Sequence, residues 1–99
     1  MSLVFAEPDA LLGASAELQS INAAMHGGNA AAAGPTTSVV PAASDFVSFL
    51  TAAQFAAHAK LYQEISAKAA AARERMATTL GLNASWYAAS EAVNNSALA

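Results

Sequence analysis

The stretch DFVSFLTAAQFAAHAKLYQEISAKAAAARERMATTL, Asp45 to Leu80, is the longest in the chain without Gly or Pro, and it holds all four Lys and Arg residues. Within it Phe55, His58, Tyr62, Ile65, Ala69, Ala72 and Met76 recur at spacings of three and four, which places them on one stripe of an α-helix. A second apolar line, Phe46, Leu50, Ala53, Ala57 and Leu61, begins on a neighbouring face and meets the first near Leu61. A helix of this length, about 54 Å at about 1.5 Å per residue, cannot hide two apolar faces by itself. The sequence therefore predicts that the chain covers one face and a partner the other, without saying which is which.

Working outward, Gly81 offers a left-handed stop after Leu80, and Ser44 and Asp45 offer a cap and a first-turn acid before Phe46. Upstream, Thr36 to Ala43 with Pro41 inside reads as a reversal, and Val39-Val40-Pro41 is apolar enough to pack over the end of a hairpin. Before that lies a first helix. Glu7-Pro8-Asp9 has the composition of a helix entrance, and Leu11, Ala14, Leu18, Ile21 and Met25 follow a three-four spacing. Gly34-Pro35 ends or kinks this helix. Gly27-Gly28 either only weakens it or lets another backbone come close.

The reading is an all-α chain. Residues 1–82 form an antiparallel two-helix hairpin, with helix one at about 8–33 and helix two at about 45–80, and residues 83–99 form a small, polar tail. Nearly a third of the residues are alanine, which favours helix and close packing of axes. The hydrophobic fraction is 56% and the charged fraction only 11%, against about 25% charged in ordinary domains. A hairpin is half of a four-helix bundle. The positions expected to meet a partner's helices are Leu11, Leu18, Ile21 and Met25 on helix one and Phe46, Leu50, Phe55, Leu61, Tyr62, Ile65 and Met76 on helix two.

Other functional classes find little support. The net charge is −3, and Lys60, Lys68, Arg73 and Arg75 are interleaved with Glu64 and Glu74 as on a solvated helix face, so no nucleic-acid partner is expected. His26 and His58 lack neighbouring ligands, there is no Cys, and no nucleophile, phosphate loop or acid pair stands out. The sequence thus predicts no catalytic residues, no metal and no cofactor. Asn22, His26, Gly27, Gly28, Asn29 and Pro35 interrupt the uncharged run between Glu17 and Asp45, so no membrane insertion is expected. Glu7, Pro8 and Asp9 follow too soon for a Sec leader.

The opening Met-Ser-Leu-Val-Phe-Ala-Glu-Pro-Asp, the run Ala30 to Thr37 ending Gly-Pro-Thr-Thr, the Val39-Val40-Pro41-Ala42-Ala43 turn and Asp45, Val47 and Ser48 at the start of helix two resemble the N-terminal domain of the mycobacterial PE family. The resemblance covers essentially the whole chain, as a minimal member ending at Ala99. The namesake Pro-Glu departs here, since Pro8 is followed by Asp9, which keeps the charge. The resemblance implies a 1:1 heterodimer with a PPE-family protein, closing a four-helix bundle, with an EspG-type chaperone held through the PPE subunit. It further implies export of the pair from the cytoplasm by a type VII (ESX) secretion system, to act as a secreted or cell-surface component. The family's secretion signal is a Tyr followed four residues later by Asp or Glu, and Tyr87 and Glu91 fit it in type and place. The alternative is a non-secreted helical adaptor binding a helical partner.

Overall fold

The structure, a computed structural model, describes residues 7–98. Two helices account for almost all of them: α1, Pro8–Thr37, and α2, Phe46–Leu98. Proline opens α1 where its missing N–H is not needed, Asp9 sits in the first turn, and the Leu11 amide donates to the Glu7 carbonyl at 3.1 Å. The sequence places the end of α1 near residue 33, but the helix runs through Pro35 to Thr37. Hydroxyls close that last turn: Thr36 Oγ1 donates to the Ala32 carbonyl and Thr37 Oγ1 to the Ala33 carbonyl, each at 2.6 Å. Each hydroxyl thus bonds back to the carbonyl four residues earlier, a contact added to the helix's own backbone bonds.

The cap of α2 lies one residue later than expected. Asp45, not Ser44, is the cap: its Oδ1 accepts from the Ser48 amide at 2.8 Å and its Oδ2 from the Ser48 hydroxyl at 3.0 Å. These bonds hold the Asp45 carboxyl below the ordinary carboxylate range. At the other end α2 passes straight through Gly81, and no described glycine takes a positive φ. The expected stop at Leu80 is therefore replaced by one helix that takes in the tail from residue 83 and runs to Leu98. A lone glycine costs a helix only about 1 kcal/mol, no proline follows it, and Ala84, Ala88, Ala89, Ala92 and Ala97 carry the helix onward.

The chain divides into two compact units. In Asn22–Ala71 the second half of α1 folds back along the first half of α2 through the eight-residue reversal 38–45. Pro41 is half-buried, whereas Val40 projects outward at 81% exposure, so the expected apolar cover over the hairpin end is partial. Here Asn22 Nδ2 donates to the Ala70 carbonyl at 3.2 Å, Gln63 Nε2 to the Asn29 carbonyl at 3.0 Å and Tyr62 Oη to Asn29 Oδ1 at 2.8 Å. The α2 residues withdrawn from solvent are Ser48, Ala52, Ala56, Ala59, Gln63, Ser66, Ala69 and Ala70.

In the unit formed by residues up to Ile21 with those from Ala72, Ser15 is buried and its Oγ donates to the Ala77 carbonyl at 2.6 Å. Ala77 and Ala84 are essentially inaccessible, and Leu11, Leu18, Arg73, Leu80 and Gly81 are half-buried. A methyl at Gly81 would stand 3.6 Å from Ser15 Oγ. Ser15, Asn22 and Asn29 are seven residues apart on α1, and their partners Ala77, Ala70 and Gln63 are seven apart on α2. That is the repeat of an antiparallel pair with one residue of each heptad polar.

Candidate partner-binding surface

The line of α2 turned toward α1 consists, Leu80 apart, of small or polar side chains, and neither apolar stripe is on it. Taking Gln63, Ala70, Ala77 and Ala84 as one heptad position, Ala59, Ser66, Arg73 and Leu80 form the other, with the stripes on either flank. On one flank Phe55, His58, Tyr62, Ile65 and Met76 are all exposed; on the other Phe46, Leu50, Ala53, Ala57 and Leu61 are as well. The expectation that α1 covers one stripe is thus corrected. The reason is size: alanine and serine let two helix backbones come closer than Phe or Leu would, and each carbonyl or amide contact needs that proximity.

On α1, Leu11 and Leu18 are half-buried against α2, whereas Ile21 and Met25 are exposed at 53% and 42%. Ala14 is exposed and its neighbour Ser15 takes the inward place. Sequence reasoning missed Ser15, Asn22, Asn29 and Gln63 because it followed apolarity. Their signal was present all the same, as a polar residue every seventh position along the first helix. Gly13, Gly27 and Gly28 meet nothing within 4 Å of where a Cβ would stand. Within this chain, Gly27-Gly28 brings no backbone close.

At the closed end of the hairpin, Pro35, Val39, Phe55, His58 and Tyr62 border an open apolar cleft of about 460 Å³. A smaller one of about 170 Å³ lies beside His26, Asn29, Gln63 and Ser66. Among the described residues no group of His, Cys, Asp or Glu could hold a metal ion, and no helix is long and apolar enough to cross a membrane. Pro8 is half-buried and Asp9 exposed at the entrance of α1. Tyr87 and Glu91 are both exposed, one helical turn apart on α2.

Comparison with known proteins gives this surface a setting. The PE family profile matches residues 4–94. PE family protein PE13 of Mycobacterium tuberculosis is 55% identical over 97 residues, covering 98% of each chain. PE family protein PE8 of the same organism is 46% identical over 99 residues, which is all of this chain but 36% of that protein. A further relative, named Esterase PE16, is 43% identical over 94 residues, and the match spans 18% of its length. The similarity thus follows the two helices in short and long relatives alike, and with the profile spanning nearly all of it, this chain belongs to the PE family.

Proposed function

We propose that the chain is a non-enzymatic helical subunit that binds a PPE-family protein 1:1 in a four-helix assembly and leaves the cell with it through a type VII secretion system. One observation carries the reading: large apolar side chains flank the α1-covered line of α2 on both sides and lie open to solvent. Leaving Phe46, Phe55, Ile65 and Met76 in water forgoes about 1.5–3 kcal/mol for each, and a partner's helical hairpin laid along the two flanks recovers it. Family membership supports a PPE-family protein as that partner. The EspG-type chaperone would hold the PPE subunit, leaving this chain's helices free of it. Tyr87 and Glu91 serve as the export signal, and the pair passes from the cytoplasm to the cell surface or medium.

Two measurements test this. Co-produced with a PPE protein encoded beside it, the chain is expected to elute as a 1:1 complex with a cooperative melting transition, and alone to be poorly soluble or weakly helical. A well-behaved monomer with a sharp melt contradicts the pairing. Tyr87→Ala is expected to retain the complex in the cell and remove it from culture filtrate. Unimpaired export would favour the non-secreted adaptor, which has the same flanks and no use for Tyr87.

A further inference from the structure

The α2 positions that face α1 in the unit containing the chain's end are Arg73, Ala77, Leu80 and Ala84, alternating at four and three residues. The next two positions of that alternation are Tyr87 and Glu91, and the two after them are Asn94 and Leu98. All four are helical and exposed. The face that α1 covers therefore continues beyond it, and the residues of the export signal occupy its first two open places. Leu82, Trp86 and Val93, also exposed, lie on the opposite side of the same helix, about 160–200° around from Ala84 at about 100° per residue.

We propose that Tyr87 and Glu91 are read by an α-helix of the export machinery that lies antiparallel along α2 in line with α1, extending the α1–α2 seam and contacting Asn94 and Leu98 too. This rests on the export reading above and specifies its recognition. Continuity with the α1–α2 interface selects a helix as the occupant, because the four-three alternation drifts only about 20° per heptad on an α-helix and so stays near the face that Ala84 turns to α1. Side-chain size and charge select its composition. Where α1 meets Ala77 and Ala84, the new helix meets a phenol and a carboxylate, so it needs a small residue opposite Tyr87 and a Lys or Arg opposite Glu91. Glu91 is the sole charged side chain after Arg75, and a carboxylate withdrawn from water in an interface requires a donor or cation.

The test is export of the co-produced complex, with circular dichroism and co-purification confirming that each variant stays helical and paired. Asn94→Arg and Leu98→Asp, on the seam, are expected to lower the filtrate-to-cell ratio at least tenfold. Ala89→Asp, a charge placed about 140–180° around the helix from those positions at an exposed site, is expected to stay within twofold of the unmodified chain. Normal export of Asn94→Arg and Leu98→Asp, with Tyr87→Ala still blocked, overturns the seam and leaves the signal; normal export of Tyr87→Ala sinks the underlying reading instead. A photo-crosslinker at position 94 identifies the occupant. Capture of a secretion-machinery helix supports the proposal, whereas capture of the PPE subunit or of this chain's own residues 1–6 overturns it.

Discussion

The covered line of α2 and its two flanks differ in a way that runs against the usual order of burial. Ala77 and Ala84, with Ser66 and Gln63 on the same line, carry little apolar area and are withdrawn from solvent; Phe46, at 78% exposed, Phe55 and Ile65 carry much and are left out. Self-contact is thus made by backbone proximity and hydrogen bonds, each contributing about 0.5–1.5 kcal/mol net. The large apolar side chains contribute little to that contact and stand in water. On the pairing proposed above, stability and partner binding would be one quantity.

Substitutions that touch one region and spare the other sharpen this contrast. The largest effect is expected at the flank: Ile65→Asp changes a side chain that is 57% exposed in the chain alone yet buries an unpaired carboxylate in the complex, weakening pairing by about 4 kcal/mol, roughly a thousandfold in Kd by titration calorimetry. Leu18→Asp strikes the covered side and should abolish the pair as well, through loss of the hairpin. Next comes Ala77→Leu. Its added bulk has no room beside Ser15, so urea unfolding of the complex should show a loss of about 1–3 kcal/mol. If Ala77→Leu were neutral, the closely packed line would not exist.

Gly27→Ala with Gly28→Ala meets open space in this chain. It should stabilise α1 by up to about 1 kcal/mol per site, read as a higher Tm of the complex. A lower Tm would instead place a partner backbone against those glycines and extend the binding surface onto α1.

The smallest effect is expected at the Asp45 cap. Because folding lowers this carboxyl's pKa, its stabilisation is complete above the ordinary value of 3.8 and is lost as pH falls through the depressed value. Asp45→Ala should lower Tm slightly at pH 7, and acid titration of Tm for the variant should lack that part of the decline below about pH 4.

Much of the fold was legible in the residues. Helix class, a reversal ahead of the second helix, Pro8 in the first turn and the two apolar stripes all follow from local chemistry, although the reversal, expected at Thr36 to Ala43, lies at 38–45. Three details did not. Asp45 rather than Ser44 became the cap because Ser48 stands three residues on, where it can donate twice to a carboxylate. The run beyond Gly81 was read as a tail because a glycine after a long helix resembles a stop, yet such a stop needs a left-handed turn that Gly81 does not make. The inward line was misplaced because apolar periodicity marks only where the large side chains lie, and α1 packs instead on the smaller residues between them.

The sequence by itself determined that two helices form, where they reverse, and that their apolar area exceeds what they can bury, since these follow from propensity, turn residues and side-chain area. Only the tertiary structure decided that α1 lies on the alanine line, tied by Ser15, Asn22 and Asn29, and that Tyr87 and Glu91 continue that line. The physical reason is that helix approach depends on the size of facing side chains and on which carbonyls a polar group can reach. Neither is set by residues adjacent in the chain.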